Sequence, residues 1–231
     1  MERRKFLAGM IGALIAVGAA TGPPPPLSGQ SVAADGALAA DTAGPRAGPY
    51  GRMHMLLERT IFKVDVLTLD VRFGPSTAGR IEGLLSRSPQ SRGLADSLAA
   101  AALEANDVLT RLTFRRNVRL GQFLDGIRGN LRRATRAGIV TPAEFQSIST
   151  DLPRWYSFLA ERGIRSGDRM YQRVRADTLR TVYVDPEGDI LLDQVDVGPE
   201  RRLAVLGGYF APGSDFREGL VASVLDARDA D

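Results

Sequence analysis

The chain of 231 residues contains no cysteine. That absence excludes disulfides, thiolate metal sites, iron–sulfur clusters and a cysteine nucleophile. His54 is the single histidine, which leaves no multi-histidine metal site and argues against a Ser-His-Asp hydrolase. Lysine is almost missing: Lys5 and Lys63 are the only two, and every other base is arginine. The net charge is +3, of which Glu2, Arg3, Arg4 and Lys5 supply +2. The remainder is nearly balanced and has no run of five bases, so nucleic acid is not an expected partner. No glycine-rich phosphate loop or dinucleotide fingerprint occurs. No cofactor and no metal are expected. Asp185, Glu187 and Asp189 cluster, but they alternate with Pro186 and Gly188 as in a hairpin turn and lack the spacing of a calcium loop.

Basic residues at Met1–Lys5 precede the apolar run Phe6–Ala20, which is shorter than the roughly 20 residues of a membrane span. This is the layout of a signal peptide. Arg3-Arg4-Lys5-Phe6-Leu7 resembles the twin-arginine export motif; an ordinary secretory signal and an uncleaved anchor are the alternatives. Val17-Gly18-Ala19 and Ser31-Val32-Ala33 are both candidate cleavage sites. Thr21 to Tyr50 is rich in Pro, Gly, Ala and Ser, with Pro23–Pro26 as a short polyproline stretch. Such a segment cannot bury enough surface to offset its ordering entropy. The expected organisation is a twin-arginine-type signal peptide over 1–34, a disordered linker over 35–50 and a folded domain over 51–228. The expected location is periplasmic or secreted, with the twin-arginine translocase as partner during export.

Thr60–Phe73 alternates with period two and predicts a strand. Its phase changes between Phe62, Val64, Val66 and Leu67, Leu69, Val71, Phe73, as at a β-bulge. Leu94–Ala105 is alanine-rich and predicts a helix; Val108–Phe114 predicts a strand. Over Arg119–Ala137, Leu120, Phe123, Leu124, Ile127, Leu131 and Ala134 recur at helical steps, and Gly138 follows as the C′ residue. Thr141, Pro142 and Glu144 form a helix start. Phe145, Ile148, Leu152, Trp155 and Leu159 give the next apolar stripe, with Pro153 interrupting it and Trp155 expected to be largely buried. Met170–Arg175, Thr178–Val184 and Ile190–Val195 predict strands, the last two joined by a turn at 185–188. A final helix over Phe216–Leu225 is capped by Ser214 or Asp215. Grouped strands and separate helices indicate α+β with a mostly antiparallel sheet.

The segments Gly163-Ile164-Arg165-Ser166-Gly167-Asp168, Val182–Gly188, Leu206-Gly207-Gly208-Tyr209-Phe210 and the helix Phe216–Leu225 resemble, in order, those of the chalcone isomerase-like family. Ile61-Phe62-Lys63-Val64-Asp65 and Leu69-Asp70-Val71 are similar to its first strands. The resemblance implies an open-faced β-sandwich: a curved antiparallel sheet covered by a layer of helices, with a ligand cleft between them. It also implies a short strand at 206–210. A bacterial exported member is the form suggested.

The family's catalytic arginine corresponds to Arg52, with Arg59 as the fallback. Its helical Tyr and Asn correspond to Phe123 and Asn130, which lie two turns apart on one face. Its strand Thr corresponds to Asp65 and its last-helix hydroxyl to Ser223. The resemblance thus marks Arg52, Asn130 and Ser223 as catalytic candidates and Arg59, Asp65, Phe123 and Ile127 as ligand-binding ones. Arg52 and Asn130 are expected to face one cleft beside Val64. Loss of the phenol at Phe123 and a carboxylate at Asp65 argue against plant-type chalcone cyclisation. The expected function is binding of a small apolar or anionic, fatty-acid-like ligand. The alternative is an intramolecular lyase (isomerase) of unknown substrate.

Overall fold

The structure is a computed structural model that describes residues 48–59, 64–87 and 93–230. The expected signal peptide and most of the expected linker lie outside the described residues, as do residues 60–63.

Six strands form one sheet in the order β1-β2-β3-β4-β5-β6, each pairing antiparallel with its sequence neighbours. They are β1 Arg52–Arg59, β2 Val64–Phe73, β3 Asp107–Phe114, β4 Arg169–Arg175, β5 Thr178–Val184 and β6 Ile190–Val197. The helices are α1 Pro75–Arg87, α2 Leu94–Leu103, α3 Leu120–Arg136, α4 Pro142–Trp155, α5 Pro199–Phe210 and α6 Arg217–Ala230. They cover one face of the sheet. Met53, Leu69, Val71, Phe73, Val108, Leu112 and Val174 point from it into a single buried core with them. The other face is mainly polar, with Leu109 and Val182 set among its charged side chains. There Asp70 accepts from Arg52 Nε at 2.7 Å and Arg72 Nε at 3.2 Å. Period-two alternation separates the two sets of side chains. The architecture is α+β, an open-faced sandwich as expected.

Leu57 pairs with Leu67 and Glu58 with Asp65, so Val66 is the extra residue of a β-bulge. The bulge falls where the apolar phase of the sequence changes. Its effect is local and useful: Val66 and Leu67, adjacent in sequence, both border the space beneath the helices.

The helix start at Thr141, Pro142 and Glu144 takes the form its sequence predicts. Thr141 Oγ1 accepts from Glu144 N at 3.2 Å, and Glu144 Oε2 accepts from Thr141 N at 2.6 Å. Those bonds to Thr141 hold the Glu144 carboxyl below its ordinary pKa. Gly138 at φ +72° ends α3 in the left-handed conformation, which glycine adopts without steric cost. The turn at 185–188 is closed by Asp185 Oδ1, which accepts from Gly188 N at 2.9 Å and Asp189 N at 2.8 Å.

Three elements differ from the sequence expectation. Arg52–Arg59 is a strand, where the sequence pattern predicts no element. Pro75 opens α1, a helix the sequence pattern does not predict; its missing N–H is of no consequence in a first turn. The third difference is at 206–210, where the expected short strand is the end of α5. Gly207 belongs to a helix crossing. A Cβ there would lie 3.0 Å from Ile139 Cγ2 and 3.1 Å from Ala134 Cβ, so glycine is what lets α5 approach α3.

Candidate functional site

Between the sheet and the α3–α4 layer lies a cavity of about 640 Å³. This is within the range of about 300–1,000 Å³ usual for small-molecule sites. α3 supplies one wall. Phe123, Gly126, Ile127 and Asn130 recur at steps of three and four, which puts them on one helix face, and all four line the cavity. Gly126 contributes space: a Cβ there would meet nothing within 4 Å. α4 adds Ile148, Leu152 and Trp155, and the bulged β2 adds Val66 and Leu67. The surface these residues present is largely apolar.

Polar groups enter at a few defined points. Across the helix-facing side of the sheet, Thr110, Gln172, Thr181 and Gln194 are successive cross-strand partners from β3 to β6. Tyr209 reaches down from α5 and donates to Gln172 Oε1 at 2.7 Å, while Thr110 Oγ1 donates to the same oxygen at 3.3 Å. Asn130 is buried, and its Oδ1 accepts from Arg133 Nη1 at 2.8 Å and from Asp215 N at 3.3 Å. Arg133 is also paired with Asp215 at 3.1 Å. Tyr156 stands edge-on to Phe123, with ring centroids 5.1 Å apart. Burial pushes the pKa of Tyr156 far above the ordinary phenol value, and the negative charge of Asp196 raises it further. Burial does the same to Tyr209. Both phenols therefore stay neutral and can act as hydrogen-bond donors.

The structure brings together three of the residues marked in the sequence: Phe123, Ile127 and Asn130. Arg52 is not with them. It alternates with the core residue Met53 and lies on the uncovered face, held by Asp70. Arg52 and Asn130 are thus on opposite sides of the sheet, and the expected shared cleft does not form. Strand parity is the reason: residues 53, 55 and 57 point to the helices, so 52 cannot. Ser223 is also outside the cavity lining. Its hydroxyl accepts from His54 N at 3.0 Å and donates to Leu220 O at 2.7 Å, fastening α6 to the edge strand β1. The side chains of Arg59, Val64 and Asp65 lie outside the described part.

Trp155 is half-buried at the cavity edge, not in the core. The Arg201 guanidinium lies 4.8 Å from its ring centroid. Two phenols, Tyr156 and Tyr209, reach the cavity from elements other than α3. The one sequence signal for them is their position among apolar residues of helical segments.

The Arg165-Ser166-Gly167-Asp168 segment has a structural part to play beside the site. Asp168 is fully buried and accepts from Arg162 Nη1 at 2.9 Å, Arg162 Nη2 at 3.0 Å, Tyr183 Oη at 2.7 Å and Arg165 N at 2.8 Å. It locks the entry to β4. Among the described residues no group of three metal-ligating side chains occurs.

No family model and no curated protein matches the sequence. The structure is similar to the crystal structure of a fatty-acid binding protein of Arabidopsis thaliana. The TM-score is 0.50 at 12% identity, over 79% of this chain and 91% of that one. The fold is chalcone isomerase-like. At this identity the similarity is one of architecture. In the chalcone isomerase-like fold seen here, the cavity lies between the sheet and its helical cover, where the family resemblance implies a cleft.

Proposed function

We propose that this chain binds a small, predominantly apolar ligand of fatty-acyl type in the cavity under α3 and α4. The carrying observation is the cavity itself: about 640 Å³, apolar on most of its wall, with a few buried polar side chains. A fatty-acid binding protein of similar architecture supports the reading. The alternative of an intramolecular lyase rests on Arg52 and Asn130 acting together, and their separation across the sheet removes that pair from it.

Trp155 is the sole tryptophan and lines the cavity, so its fluorescence is a direct readout. Titration with a twelve-carbon acid, alcohol and amide should give a saturable change for at least one of them. Gly126→Leu should abolish the change by filling the cavity, with the melting temperature unchanged or raised, because leucine is the better helix former. No saturable response from any of the three compounds, confirmed by calorimetry, would refute the reading.

We further propose that binding takes place outside the cytoplasm after twin-arginine export. Replacing Arg3 and Arg4 by Lys should leave the precursor inside the cell. Undiminished export would point to the general secretory route instead.

A further inference from the structure

Three buried, uncharged polar side chains of the cavity wall have a hydrogen-bonding group to spare. Asn130, Gln172 and Thr181 are each more than nine-tenths buried and line the cavity. Asn130 Oδ1 is taken by Arg133 and by the Asp215 amide, which leaves Nδ2 as its remaining group. Gln172 Oε1 is taken by Tyr209 and Thr110, which leaves Nε2. Neither amide nitrogen, nor the Thr181 hydroxyl, has a protein hydrogen-bond partner among the described residues. None of the three is sealed from the cavity either. Buried donors of this sort are normally satisfied by a partner.

The charges around the cavity are arranged differently. Arg133 is engaged by Asp215 and Asn130. Arg201 lies over Trp155 at the edge, and Arg116 is exposed at the rim. Asp196 is on the helix-facing side of β6, next but one to Gln194, whose Nε2 donates to it at 2.9 Å. It has no ion-pair partner among the described residues. Its charge is felt at the buried Tyr156 hydroxyl. The wall nearest Gln172 and Thr181 therefore offers neutral donors beside an uncompensated carboxylate.

Resting on the binding reading above, we propose that the cavity selects ligands whose polar end is an uncharged carbonyl, an amide or ester in place of a free carboxylate, and takes that end in first. A carbonyl oxygen against this wall can accept from the Gln172 amide and from the hydroxyl of Thr181, its cross-strand partner, and the Asn130 amide on α3 is a further donor on the cavity wall. A carboxylate would meet the same donors but also the like charge of the half-buried Asp196 on the adjoining strand, which repels it. A methyl terminus placed there would leave the Gln172 and Thr181 groups unsatisfied. The orientation and the neutrality of the head both follow.

The test compares dodecanamide, methyl dodecanoate and dodecanoate at pH 8, read by Trp155 fluorescence and by calorimetry. The amide and the ester should bind at least tenfold more tightly than the carboxylate. Asp196→Asn should raise dodecanoate affinity about tenfold and leave the amide within twofold. Gln172→Leu, checked for an unchanged circular dichroism spectrum, should weaken the amide about tenfold. Dodecanoate binding as tightly as the amide, or an Asp196→Asn variant with unchanged preference, would overturn this selectivity while leaving apolar binding intact. Failure of all three compounds to bind would instead strike the underlying reading.

Discussion

Asp168 shows what a single side chain can hold in place. It sits without solvent contact, and four donors from Arg162, Arg165 and Tyr183 converge on its two oxygens. Burial and the bond to Asp168 push the Tyr183 pKa far above the ordinary phenol value, so its hydroxyl remains a donor. Removing one partner of a buried pair strands the other's charge, at a cost of about 3–5 kcal/mol. Asp168→Asn should therefore destabilise the fold by about that amount in urea unfolding, with Arg162 left uncompensated. A loss within about 1 kcal/mol, the usual worth of an exposed pair, would show that solvent reaches the site. The run Arg165-Ser166-Gly167-Asp168 is legible in the sequence. The tie from Asp168 to Tyr183 on the next strand is not, because it depends on cross-strand register. Arg52 illustrates the converse. Its place beside Gly51 marks it as a candidate in the sequence, but its side is decided by the neighbouring Met53 and by Met55, which alternate with it.

At the scale of elements, legibility follows periodicity and caps. α3 and α4 carry strong apolar stripes and clear start signals; α3 is legible to within a residue or two, whereas α4 runs through Pro153, where the sequence predicts an interruption, and ends at Trp155 although the stripe continues to Leu159. β1 is not legible, because Leu56, on its outward side, is 41% exposed and disguises the alternation. α1 has Gly79 and Gly83 in its interior, and glycine is a poor helix former. α5 hides behind Gly207-Gly208, a pair that resembles a turn. These two glycines predict opposite outcomes. Gly207→Ala presses a methyl against Ala134 and Ile139 and should cost about 1–3 kcal/mol, as overpacking does. A Cβ on Gly208 would meet nothing within 4 Å, so Gly208→Ala should stabilise α5 by up to about 1 kcal/mol. Thermal melts of the two variants check this; equal shifts would mean that the α3–α5 crossing is not tight.

The whole molecule divides its tasks between the faces of one sheet. Arginine–aspartate pairs occupy the uncovered face, and apolar packing with the cavity occupies the other. Which residues line that cavity can be anticipated on α3 alone, since the polar row from Thr110 to Gln194 exists only once four strands are in register. Chain connectivity would also govern how a ligand of the proposed kind comes and goes. The cavity's roof, α3 with α4, is a single uninterrupted excursion of the chain that leaves β3 at Phe114 and returns at Arg169. Its two ends are clasped by paired bonds between Val118 and Ile164, N to O at 3.0 and 3.1 Å. Because β3 and β4 are bonded directly to each other, the excursion can detach without breaking any rung of the sheet ladder. Exchange of cargo would then proceed through a cooperative partial unfolding, with its own free energy below that of global unfolding. Amide hydrogen exchange should accordingly release α3 and α4 together and ahead of β3 and β4, and a bound ligand should slow α3 and α4 most. Simultaneous exchange of roof and sheet would make entry a matter of side-chain movement alone.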